Sequence, residues 1–193
     1  AQESGALVLL DATSSTNEQS MFEEQRDLAC GLTTALDRIG VRVATYAFYS
    51  RGRGNVRVIR CKSFEDRWAG AARRRLHSVT PTGFTRMGAA IRHGAHLLDA
   101  QSGTRRRLLI VIGDGVAYDD DGYESRYAIE DTRRAIEEAR ARAVGCVGLS
   151  TRSTEIATIW SPEANRVTAT STELAGEVRE LFGAALQGCG NGR

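Results

Sequence analysis

Five oxygen-bearing side chains stand where apolar runs end. Asp11 closes Leu7-Val-Leu-Leu-Asp11 and is followed by Thr13 and Ser15; Thr85 stands in Gly83-Phe-Thr-Arg-Met-Gly88; Asp114 closes Leu108-Leu-Ile-Val-Ile-Gly-Asp114. If the two apolar strands are neighbours, the two carboxylates share a poorly hydrated space. Like charges about 5 Å apart at an effective dielectric of about 20 repel by roughly 3 kcal/mol. A divalent cation between them turns that repulsion into attraction, and the hydroxyls of Thr13, Ser15 and Thr85 supply neutral oxygens. An all-oxygen, octahedral shell at about 2.0–2.1 Å suits Mg²⁺ or Mn²⁺ rather than zinc. With so few carboxylates the ion keeps positive character, and its last, water-held position can take an oxygen from elsewhere. Read alone, Asp11 before a Ser/Thr/Asn cluster is equally a helix cap; Thr85 and Asp114 in suitable loops tip the reading toward metal.

The elements that must position these residues are legible in the periodicity. Residues 5–11, 107–113 and 144–149 are apolar without alternation, as strands covered on both faces are. Strands also fit 41–49, 165–169 and, with edge-like alternation, 56–61. Helical spacing runs over 18–39 (Phe22, Leu28, Leu32, Leu36, Ile39, then Gly40 as a stop), 85–100, 124–142 and 172–186, with shorter helices around Trp68 in 64–77 and over 153–160. Strands alternating with helices predict an α/β fold: a three-layer, Rossmann-like, doubly wound sheet, mostly parallel, with one antiparallel edge strand after the turn at 51–55. Sites in such sheets form at the carboxyl ends of the strands. One domain over 1–187 and a loose Gly-rich tail at 188–193 are expected.

Composition narrows the function classes. The chain has 193 residues, 41% hydrophobic and 26% charged, with a net charge of +2. No apolar run is long enough for a membrane span, and no basic-then-apolar leader is present, so a cytoplasmic setting is expected. The start at Ala1, almost directly before a strand, suggests a piece of a longer protein. Arginine supplies nearly all the positive charge; Lys62 is the only lysine. Arg73-Arg74-Arg75 and Arg105-Arg106-Arg107 are offset by acids and lack an aromatic platform, which argues against nucleic acid. Cys30, Cys61, Cys146 and Cys189 show no zinc spacing and read as incidental thiols.

The constellation resembles the metal-ion-dependent adhesion site (MIDAS) of von Willebrand factor A domains. That family's Asp-x-Ser-x-Ser motif stands here as Asp11-Ala-Thr13-Ser-Ser15, its lone threonine as Thr85 and its second aspartate as Asp114, with Gly113 where a Thr or Ser is frequent. Gly83-Phe-Thr-Arg-Met-Gly-Ala-Ala-Ile-Arg-His93, Asp114-Gly-Val-Ala-Tyr-Asp119, Gly122-Tyr-Glu-Ser-Arg-Tyr127 and Glu130-Asp-Thr-Arg-Arg134 look like the NorD/CbbO branch, the activation proteins of nitric oxide reductase and of rubisco. The resemblance covers roughly residues 5–187. It implies a von Willebrand factor A fold, bound Mg²⁺ or Mn²⁺, a MoxR-type AAA+ ATPase as partner, and an acidic residue of a target protein completing the metal shell.

Beside the proposed site, Tyr118, Asp119, Tyr123, Arg126 and Tyr127 are candidate partner contacts. Asp119-Asp-Asp121 reads as a solvated acidic turn, because it lacks the spaced ligands of a calcium loop. His93 and His96 have no third ligand in view. Glu130, Arg133, Arg134, Glu137 and Glu138 read as a solvated helix face. The rival class is a metal-dependent phosphoryl-transfer hydrolase. It would call for a nucleophile or base at the metal and commonly a phosphate-neutralising lysine; Asp11 has no second acid two residues on, and Lys62 falls on the edge strand. No Walker-type loop or Ser-His-Asp pattern is present, so a non-enzymatic docking module is the expectation.

Overall fold

The computed structural model describes residues 3–14, 19–167 and 180. Its elements run β1 (Ser4–Asp11), α1 (Gln19–Arg38), β2 (Arg42–Ser50), β3 (Val56–Lys62), α2 (Gly70–His77), α3 (Met87–Gln101), β4 (Arg106–Ile112), α4 (Ser125–Ala141), β5 (Val144–Ser150), α5 (Ile156–Ile159) and β6 (Asn165–Val167). The strands form one sheet in the order β3-β2-β1-β4-β5-β6. All neighbours are parallel except β2 and β3. The expected α/β class, mixed sheet and antiparallel edge therefore hold. The closing helix expected over 172–186 and the tail at 188–193 lie outside the described residues, apart from Glu180.

The two-residue period of β1 divides its side chains between two cores. Leu7 and Leu9 pack with Ile91, Leu98 and Ile136 on the α3–α4 face. Ala6, Val8 and Leu10 pack with Phe22, Leu32 and Leu36 on the α1 face. Each such side chain, fully buried, contributes about 1.5–3 kcal/mol, so the central strand is held firmly from both faces. Helix α1 stops at Gly40 as its sequence predicts. Gly40 adopts φ +79, and the Val41 amide returns to the Leu36 carbonyl at 3.0 Å.

Helices α2 and α3, like α5, start two or more residues later than their periodicity suggests. Ser63 and Asp66 exchange hydrogen bonds, amide to carboxylate at 2.8 Å and amide to hydroxyl at 3.2 Å. That turn holds residues 63–66 out of α2, and Trp68 lies ahead of the helix with its indole N–H on the Thr34 hydroxyl at 2.8 Å. Helix α3 begins at Met87, because Thr85 is engaged in a backbone bridge instead. No described helix is long and apolar enough to cross a membrane. Cys61 and Cys146 are buried and Cys30 is half-buried; Cys189 lies outside the described residues.

Candidate metal centre

The parallel pairing of β1 with β4 places Leu10 opposite Ile112. Asp11 therefore leaves the sheet beside Gly113, with Asp114 one residue further. Gly113 makes this closeness possible: a Cβ there would lie 3.0 Å from the Asp11 Cβ and 3.2 Å from its Oδ2. A side chain at 113 would press on the carboxylate itself.

Both aspartates are buried, with 3% of Asp11 and 6% of Asp114 exposed. Burial, and then the charge of Asp114, push the Asp11 carboxyl well above its usual range, although the Thr13 and Thr85 hydroxyls and the Thr13 amide pull it back. Asp114 is raised chiefly by burial, opposed by the Val116 amide and its own, with Glu155 adding to the rise. Among the described residues, neither carboxylate has an ion-pair partner. The Thr13 amide donates to Asp11 Oδ1 at 3.1 Å, the Thr85 hydroxyl donates to Asp11 Oδ2 at 3.2 Å, and the Val116 amide donates to Asp114 Oδ1 at 2.8 Å. Thr13 and Thr85 are themselves buried. Thr13, Thr85 and Asp114 thus gather hard oxygens around Asp11, with two acids that have no ion-pair partner among the described residues; Ser15 lies outside the described residues. This donor set fits a hard divalent cation, and a group of three or more His, Cys, Asp or Glu ligands is absent among the described residues.

Three loops are sewn together around these side chains. The Ala12 amide donates to the Phe48 carbonyl at 2.9 Å, the Thr82 amide to the Ala12 carbonyl at 2.9 Å, and the Ser14 hydroxyl to the Gly83 carbonyl at 3.0 Å. Gly83 has φ +64, and a Cβ there would meet the Ser50 carbonyl oxygen at 2.4 Å, so only glycine fits. Thr85 and Tyr118 exchange backbone hydrogen bonds at 2.7 and 3.0 Å, which ties the threonine to the loop after β4.

The acidic turn departs from the sequence reading at Asp119, whereas Asp120 and Asp121 are exposed as expected. Asp119 is fully buried, not solvated. It accepts from the Gly52 amide at 2.9 Å and from Arg86 Nε at 3.3 Å, while Asp121 pairs with the same guanidinium and accepts the Arg53 amide at 2.6 Å. Burial pulls the Asp119 carboxyl up, but the Ser50 hydroxyl, the Gly52 amide and Arg86 outweigh it and hold it below its usual value. Arg86 also lies over the Tyr123 ring at 4.4 Å. Tyr123 is buried, and its hydroxyl donates to Asp131 at 2.6 Å; burial and that neighbour push its pKa up to about 12. Asp119 and Tyr123 are therefore internal supports that offer a partner no surface. Tyr118 (37% exposed), Arg126 and Tyr127 (61% exposed) remain on the surface. Tyr118 packs edge-on against Phe84, and Tyr127 against Tyr123. Sequence reasoning passed over Arg86, although it adjoins Thr85 in the Gly-Phe-Thr-Arg-Met-Gly segment.

The helix face over 130–138 carries an Arg134–Glu138 pair four residues apart and an Arg133–Glu130 pair three apart, but Glu138 also binds Arg92 of α3. Lys62 lies at the end of β3, paired in register with Thr45 and away from the Asp11 end of the sheet. It is buried and donates to the Val43 carbonyl at 2.6 Å.

The comparisons accord with this architecture. No family model matches the chain. It is 37% identical over 143 residues to NorD of Stutzerimonas stutzeri and 35% identical over 141 residues to NorD of Brucella suis biovar 1, which takes in 72% and 71% of the chain but 23% and 22% of those proteins. An uncharacterised Pseudomonas aeruginosa protein is 37% identical over 145 residues, spanning 72% of the chain and 23% of that protein. The chain thus spans less than a quarter of the length of these curated relatives. Among solved structures, the von Willebrand factor domain of the pilus tip protein Mfa5 from Porphyromonas gingivalis superposes with a TM-score of 0.62 at 10% identity, covering 100% of this chain and 98% of that one. Manganese-loaded TRAP of Plasmodium vivax gives 0.66 at 15% identity, covering 93% of this chain and 74% of that one. The von Willebrand factor type A protein of Catenulispora acidiphila gives 0.56 at 18% identity, covering 96% and 43%.

Proposed function

The chain is a von Willebrand factor A domain of the NorD type, and from that premise we propose that it is a non-catalytic, metal-dependent docking domain. The observation that carries the reading is the pair of buried acids, Asp11 and Asp114, each raised in pKa and without a cationic side chain among the described residues, beside the Thr13 and Thr85 hydroxyls. Asp11, Thr13, Ser15, Thr85 and Asp114 would hold one Mg²⁺ or Mn²⁺, some directly and some through water. The ion supplies a cationic contact for a carboxylate of a target protein. The chain's own residues do the rest: Thr85 and Thr13 orient the Asp11 carboxylate, the Val116 amide orients Asp114, and burial keeps bulk water from competing. Exposed Tyr118, Arg126 and Tyr127 flank the site and give a bound segment apolar and cationic anchors.

The likeness to NorD supports a place beside a MoxR-type AAA+ ATPase, with this domain directing ATP-driven work onto a target such as nitric oxide reductase or rubisco. The hydrolase reading draws no support from the site's surroundings, since the single lysine sits at the opposite end of the edge strand. Affinity capture with and without chelator tests the docking reading. Target and ATPase should be retained with Mg²⁺, released by chelator, and lost for Asp114→Ala with its circular dichroism unchanged. Capture indifferent to both chelator and Asp114→Ala would refute it.

A further inference from the structure

We propose that the buried Arg86–Asp119 pair is a positioning device for the Thr85 hydroxyl, so that metal affinity at the centre depends on a side-chain clamp that contributes no ligand to it. The inference rests on the metal-site reading above.

Thr85 is placed by its surroundings and not by a helix. It precedes α3, whose N-cap residue Arg86 has φ −92 and ψ 73 and makes no side-chain capping bond. What fixes Thr85 is its two-way backbone bridge to Tyr118. Tyr118 belongs to a loop that turns at Gly115 (φ +85) and Gly122 (φ +90) and is 37% exposed. A loop hinged on two glycines can shift unless something anchors it.

Arg86 is that anchor. From the residue next to Thr85, its guanidinium reaches under the same loop to Asp119 at 3.3 Å and to Asp121, with the Tyr123 ring beneath it. Its own amide donates to the Ser50 hydroxyl at 3.1 Å. Asp119 in turn grips the Gly52 amide at 2.9 Å and its backbone amide donates to the Tyr123 carbonyl at 2.7 Å. The β2–β3 turn, the start of α3 and the loop after β4 are thereby closed into one ring around Thr85. Metal ligation tolerates only a few tenths of an ångström of error in oxygen placement. A planar guanidinium serving two acids and an aromatic face gives that rigidity, and an ammonium does not.

The test is a Mn²⁺ titration of the wild type, Arg86→Lys, Asp119→Asn, Thr85→Ala and the Thr85→Ala/Arg86→Lys double variant, with residue-resolved amide exchange on the metal-free proteins. Each clamp variant should weaken Mn²⁺ binding by about tenfold, the effect expected of groups that orient ligands. Arg86→Lys should cost nothing further once Thr85 is alanine. In the metal-free variants the Thr85 and Tyr118 amides should exchange faster while β1 and β4 stay protected. Wild-type affinity in both clamp variants, or the same loss in the Thr85→Ala background, would overturn the positioning role. A wild type that binds no Mn²⁺ while Arg86→Lys still loosens the Thr85 amide would instead sink the metal reading, and the proposed role with it.

Discussion

Two acid pairs sit in neighbouring loops at one end of this sheet, and they are treated oppositely. Asp119 and Asp121 share the Arg86 guanidinium, and Asp119 is held below its usual pKa. Asp11 and Asp114 are buried like Asp119, have no cationic side chain paired with them among the described residues, and are both raised. A buried acid with its arginine is a structural joint. A buried acid pair without one is a destabilising charge that only a proton or a cation relieves. The same chemical group thus does two jobs a few residues apart, and the difference lies in what faces it.

The largest effect should come from breaking the compensated pair. Arg86→Ala leaves Asp119 buried with its charge unanswered and should cost about 3 kcal/mol in urea unfolding. A loss below about 1 kcal/mol would show that the clamp does not hold the loops together. Removing a charge from the other pair should do the reverse: Asp11→Asn keeps an acceptor for the Thr13 amide and the Thr85 hydroxyl, and should stabilise the metal-free protein by about 1 kcal/mol at neutral pH. Destabilisation there would mean that the carboxylate is already compensated.

The pH dependence separates the pairs further. Asp11 and Asp114 have folded pKa values above their unfolded ones, so their contribution to stability is full below the unfolded value near 3.8 and is lost as pH rises through the raised values. Asp119 has the opposite sign: its contribution is present above 3.8 and disappears as pH falls through its lowered value. In chelator, the melting temperature should rise on mild acidification from neutral and fall again in stronger acid. Asp11→Asn should flatten the first limb and leave the second. A smaller effect is expected at the surface. Tyr127→Ala, at 61% exposure, should change stability by less than about 0.5 kcal/mol while weakening target capture.

Much of the fold was readable because burial on both faces writes itself into a strand as an unbroken apolar run, as in 5–11 and 107–113. The ends of those runs also located Asp11 and Asp114, since a charge closing an apolar strand is conspicuous. The status of Asp119 was not readable. Nothing local distinguishes a solvated acidic turn from a buried one; the deciding partners, Arg86 and the Gly52 amide, lie 33 and 67 residues away in sequence. Tyr123 misled in the same way, because an aromatic in a polar loop serves equally as a contact or as a floor. Gly113 has a structural reason that composition hides: the close approach of β4's end to the Asp11 side chain.

The central claim is that the uncompensated pair, and not the clamped one, receives the cation. A Mn²⁺ titration followed by electron paramagnetic resonance, comparing wild type with Asp114→Asn, addresses it most directly. The account predicts one saturable ion per chain, displaced by Mg²⁺ and lost in Asp114→Asn. No saturable binding in the wild type, or equal binding in the two proteins, would contradict it.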